Sequence, residues 1–152
     1  RSIINGLIPP GYFWCEWFDA PHLSLDFVRQ GDIWKPFSAV QGYHYSKSNL
    51  SKFSYWEVVN IPNFELPQWV HDLSEVEHLN IEFIGQNIVE MHLRYGNQLQ
   101  HNSALNSKLY PVWQGDNTKY KNFITNSYSD LGKYEAGGLQ NDVRIGFTTD
   151  DL

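Results

Sequence analysis

The chain has 152 residues, a length that fits one domain with a sizeable core, and 17 acidic residues outnumber 11 basic ones for a net charge of −6. Lys and Arg are scattered and form no basic patch, which disfavours a nucleic-acid partner. No apolar run reaches the roughly 20 residues that a membrane span needs, so no membrane partner is expected.

Tyr12 to Asp19 (YFWCEWFD), bounded by Pro9-Pro10-Gly11 and Pro21, reads as a strand. His22 to Arg29 alternates: Leu23, Leu25 and Phe27 share one face, and His22, Ser24 and Asp26 the other. Gln30-Gly31-Asp32 is a turn, and Ile33 to Gly42 is its return strand. A further strand is placed at Phe53 to Val59. Pro62 and Pro67 punctuate the next stretch, in which Leu66 to Leu73 reads as a short helix with Pro67 in its first turn.

Leu79 to Arg94 (LNIEFIGQNIVEMHLR) reads as a hairpin. Gly96 to Ser107 is a polar loop, Leu109 to Trp113 an edge strand because it contains Pro111, and Asn122 to Asp130 a short helix. Glu135 to Asn141 is a loop and Val143 to Thr148 a closing strand. The expected class is therefore α+β, mainly antiparallel sheet with two or three short helices, over a single domain spanning residues 1–152.

The hairpin carries the chemistry. Leu79, Ile81 and Phe83 share one face of its first strand, and Asn80, Glu82 and Ile84 the other. In the second strand Ile88, Glu90, His92 and Arg94 alternate with Val89, Met91 and Leu93. A two-residue loop, Gly85-Gln86, would pair Glu82 with Val89 and separate the acids. A three-residue loop ending at Asn87 pairs Ile84 with Ile88, Glu82 with Glu90 and Asn80 with His92, and it gathers the polar groups on one side. The three-residue register is the expected one. Directly opposed carboxylates, with Cβ atoms about 5 Å apart, repel unless something compensates. A divalent cation compensates, and oxygen ligands of this kind suit Mg²⁺ or Mn²⁺. Arg94, farther along the same face, suits a phosphate or carboxylate. The bland reading is a wet polar face, common on antiparallel strands.

This hairpin resembles the metal-binding hairpin of the ATP-grasp superfamily, in which an acid on one strand is followed by Glu-x-Asn-x-Arg on the next. The chain departs from that pattern at His92, where the family has Asn; histidine still ligates metals but is softer. The resemblance covers roughly Tyr12 to Arg94 and implies the C-terminal ATP-grasp subdomain. It implies that Glu82, Glu90 and His92 hold Mg²⁺ on ATP phosphates and that Arg94 is the catalytic cation facing the transferred phosphate. Phe13 to Asp32 is similar to the family's hinge strand and the strand after it. By that likeness Glu16, Trp17 and Phe18 lie at the adenine, with Asp19 or His22 near the ribose. The implied function is ATP- and Mg-dependent joining of a carboxylate to an amine or thiol. The alternative is a non-catalytic binding or structural module with the same half-fold.

The family's first nucleotide-binding half does not occur in this sequence. The chain also opens on Arg1, with Met91 its single methionine. Both suggest the C-terminal part of a longer protein that needs an N-terminal half or a partner chain. Arg144 is expected to close the fold beside the hairpin. The lone Cys15 fits a reducing, cytoplasmic setting; it reads as a small buried hydrophobe rather than a nucleophile. His71 and His78, seven apart, lack the further ligands of a zinc site. Tyr43, Tyr45, Tyr55 and Trp56 read as packing rather than as a ligand platform.

Overall fold

The computed structural model describes residues 16–46, 49–96, 104–113, 123–125 and 144–149. Eight strands form one sheet. They are β1 (His22–Gln30), β2 (Ile33–Ser46), β3 (Asn49–Val58), β4 (His78–Ile84), β5 (Asn87–His92), β6 (Lys108–Trp113), β7 (Phe123–Thr125) and β8 (Arg144–Thr148). Their order is β5-β4-β1-β2-β3-β6-β8-β7, and each paired neighbour runs antiparallel. One four-residue helix, α1 (Gln68–His71), follows Pro67. Among the described residues it is the only helix. No helix among them is long and apolar enough to cross a membrane.

The alternating β1 and its return strand form as expected. Gly31 takes φ +63° at the first position of the two-residue turn, a conformation that costs glycine little. Four expectations are corrected. Residues 16–19 form no strand, and the rest of Tyr12 to Asp19 lies outside the described residues. Phe123–Thr125 pairs with β8, so this part of the expected Asn122–Asp130 helix is a strand. β6 lies between β3 and β8 rather than at an edge. Its Pro111 is tolerated there because pairing with β3 covers only Lys108 and Leu109. β8 has β6, β3, β2 and β1 between it and β4, so Arg144 does not stand beside the hairpin in the sheet.

Each sheet face has its own core. On one face Leu25, Phe27, Ala39, Leu79, Ile81 and Phe83 pack with Trp34 and with Val70 of α1. Phe64 stacks on Phe83 at 4.2 Å. The segment carrying α1 is tied down by Trp34 Nε1, which donates to Val70 O, and by Arg29, which donates to Leu73 O. On the other face Val40, Trp56, Leu109 and Phe147 form a second cluster with Phe53 and Val58. That second cluster borders the polar groups of β1, β4 and β5.

Candidate metal centre

Glu82 pairs with Glu90 and Asn80 with His92 across β4 and β5. The acids therefore meet, but by a different route from the expected one. The loop has two residues, because Ile84 pairs with Asn87, and Gly85 takes φ +62°. A two-residue loop alone would put Glu82 opposite Val89. Instead Phe83 pairs with Ile88 and Glu82 with Glu90, so Val89 is an unpaired bulge residue. The bulge turns Ile88 into the core beside Met91 and leaves Val89 43% exposed, which reverses the facing expected for Ile88 and Val89. Asn87 keeps an ordinary φ, since the turn's left-handed residue is Gly85.

Magnitudes explain why like charges tolerate this pairing. Burying Leu79, Ile81 and Phe83 stabilises by about 1.5–3 kcal/mol each. Opposed charges cost at most about 1 kcal/mol, and less where solvent screens them. The apolar face fixes the register, and the acids follow.

Ligand-capable atoms of Glu82, Glu90 and His92 all lie within 4.8 Å of one another, the one such group among the described residues. His92 Nε2 is 3.2 Å from Glu90 Oε1. His22 Nε2 donates to Glu82 Oε2 at 2.8 Å. The two acids differ in setting: the Glu82 side chain is 16% exposed and that of Glu90 56%. His22 reaches Glu82 because β1 lies beside β4, with His22 opposite Ile84 and Ser24 opposite Glu82. Its ring sits edge-on to Phe53 and Trp56, with centroids at 5.1 and 5.8 Å, and beside His44 at 5.7 Å.

Below this cluster runs a polar row, His92–Asn80–Asp26–Ser38, across β5, β4, β1 and β2, buried at Asn80, Asp26 and Ser38. Asp26 is 0% exposed. Its Oδ1 accepts from Asn80 Nδ2 at 2.9 Å and from the Gly96 backbone N–H at 2.6 Å, and its Oδ2 accepts from the Ser38 hydroxyl at 3.0 Å. Asn80 also donates to Ser24 Oγ. Gly96 is thereby pinned to the sheet, and with it Tyr95, which stacks on His78 at 3.9 Å. Alternation puts His22, Ser24 and Asp26 on one face but gives no role to Ser24, Asp26 or Ser38. It is the available signal; the partner strands are not visible in it.

No protein-family model, curated protein or solved structure matches this chain. The site therefore stands on its own geometry.

Of the other expected site residues, Arg94 just follows β5, is half-buried, and donates from Nη1 to Tyr95 O at 2.8 Å. Glu16, Trp17, Phe18 and Asp19 lead into Ala20 and Pro21, and Pro21 O accepts from Gly85 N at the hairpin turn. Trp17 is 70% exposed and Phe18 half-buried. His22 is not grouped with them but sits against Glu82. Cys15 and the side chain of Tyr45 lie outside the described residues. Tyr43 and Tyr55 stack at 4.6 Å on the face opposite Trp56, and burial followed by the Glu57 charge raises the Tyr43 hydroxyl above its ordinary pKa.

Gly42 makes room for this arrangement. It lies opposite His22 on β1 and Trp56 on β3. A Cβ there would stand 2.5 Å from Phe53 Cε1 and 2.9 Å from Trp56 Cζ3. Both rings are held by packing, since Phe53 also lies 4.2 Å from His44. Gly42→Ala should therefore cost about 1–3 kcal/mol through overpacking, read as a lower urea midpoint. An unchanged midpoint would show that the Phe53 ring yields freely.

Proposed function

We propose that this chain supplies the metal–phosphate face of an ATP-grasp-type ligase, joining a carboxylate to an amine or thiol in a reaction driven by ATP. The observation that carries the reading is the cross-strand Glu82–Glu90 pair with His92 beside it, their ligand atoms within 4.8 Å. Two carboxylates and an imidazole are a donor set that a divalent cation accepts. Mg²⁺ or Mn²⁺ bound there would neutralise phosphate charge as it is transferred. Glu82 and Glu90 hold the ion, and His92 completes the set. His22 fixes one oxygen of Glu82, which orients the other. Arg94 offers a cation to the transferred phosphate. Glu16, Trp17, Phe18 and Asp19 supply the nucleoside side, with Trp17 exposed enough to stack on a base. The remaining walls of the nucleotide site come from an N-terminal half or a partner chain.

A second reading is favoured by a specific observation. Each acid already has an imidazole beside it, His22 on Glu82 and His92 on Glu90. A face satisfied in this way suits a non-catalytic binding or structural module.

Calorimetric titration with Mg–ATP separates the two. The ligase reading expects binding heat that disappears in Glu82→Ala. Heat that persists in that variant would place the nucleotide elsewhere, and the absence of heat from this chain would favour the second reading.

A further inference from the structure

The metal–phosphate reading leaves open which cation the face prefers and why two histidines attend it. Resting on that reading, we infer that His92 makes this a mixed nitrogen–oxygen site selective for a first-row transition cation such as Mn²⁺ over Mg²⁺, and that His22 is a positioning residue for Glu82.

The two imidazoles have different surroundings and therefore different roles. His92 is 29% exposed at its side chain and belongs to the group whose ligand atoms lie within 4.8 Å of one another. Its cross-strand neighbour Asn80 offers no second nitrogen ligand, because a neutral amide nitrogen only donates hydrogen bonds, here to Ser24, Leu25 and Asp26. His22 is walled by Phe53, Trp56 and His44, and its Nε2 is committed to Glu82 Oε2. A carboxylate has two oxygens. With Oε2 held by His22, Oε1 remains for a cation, so His22 acts through Glu82 as an outer partner does at a metal site.

The donor chemistry then decides between ions. Mg²⁺ demands near-octahedral oxygen ligation and gives up water reluctantly. An imidazole nitrogen suits first-row transition cations instead; Mn²⁺ is the weakest binder among them and the one that otherwise shares the oxygen sites of Mg²⁺, so a preference for it here reports the nitrogen. An all-oxygen set would leave Mg²⁺ at no such disadvantage, so the selectivity belongs to His92.

Mn²⁺ alone is the probe, added to the full chain and followed by electron paramagnetic resonance. The expected result is loss of the free-ion signal together with a nitrogen coupling in the echo modulation, suppressed poorly by excess Mg²⁺. His92→Asn should lose the nitrogen coupling and narrow the preference for Mn²⁺. His22→Gln should keep the coupling but weaken Mn²⁺ binding by about tenfold, measured well below the variant's own unfolding midpoint. Mn²⁺ bound without nitrogen coupling, or with a coupling that survives in His92→Asn, would overturn the inference and leave the carboxylate platform standing. No bound Mn²⁺ in the parent chain would overturn both.

Discussion

Replacing Asp26 with alanine should lower the stability of the fold by at least about 3 kcal/mol, since three of its hydrogen bonds alone are worth about 1 kcal/mol each. Asp26 is fully buried and accepts from Asn80, Ser38 and the Gly96 N–H. These three donors belong to β4, β2 and the segment after β5, so one carboxyl group joins parts of the chain far apart in sequence. The variant leaves the Gly96 N–H without this acceptor, and a buried N–H costs more unpaired than its bond contributed. The measurement is a urea transition with an unchanged slope and a lower midpoint. Backbone hydrogen exchange at Gly96 should accelerate more than exchange in β2. Asp26→Asn, which keeps the shape and one acceptor, should cost less than Asp26→Ala. Equal stability of the alanine variant and the parent would mean that the row does not hold the sheet together.

Glu90→Gln should have opposite consequences with and without a divalent cation. Without one, removing a charge opposite Glu82 relieves repulsion, and the variant should match or slightly exceed the parent, by a few tenths of a kcal/mol at this exposed position. With Mg²⁺ or Mn²⁺ at one hundred times its dissociation constant, the parent should gain about 2.7 kcal/mol by mass action. The variant should gain almost none at the same concentration. Thermal unfolding with and without the cation measures both halves. Equal stabilisation of the two proteins would remove Glu90 from the site.

Most of the sheet's first half was legible from period-two alternation. β1, its turn and its return strand follow from Leu23, Leu25 and Phe27 facing one way and from Gly31 at the reversal. The meeting of Glu82 and Glu90 was legible as well, because of the two short loops only the three-residue one puts both acids on the side away from Leu79, Ile81 and Phe83. The loop length was not. Asn87 tolerates a left-handed backbone, so a three-residue turn was reasonable; the chain instead uses Gly85 and recovers the register with a bulge at Val89. A bulge leaves no mark in an apolar run, since Ile88 and Val89 fill a core position equally well. The segment 123–125 failed for another reason: three residues carry too little pattern to separate strand from helix, and β8 decides the matter.

The candidate site was legible in its acids and incomplete in its support. Glu82, Glu90 and His92 could be placed together from the hairpin alone. Resemblance offers Asp19 or His22 for a ribose; the contact of His22 with Glu82 comes from strand order. Strand order is a long-range property, and alternation within one strand does not reveal it. The same holds for Asp26, whose partners come from β2, β4 and the residues beyond β5.

Growing crystals in MnCl₂ and locating the ion by its anomalous scattering tests the metal centre most directly. The expected map has one strong peak ligated by Glu82, Glu90 and His92. A map with no peak on that face, or with the ion bound elsewhere while the two carboxylates keep only their histidine partners, would contradict the assignment.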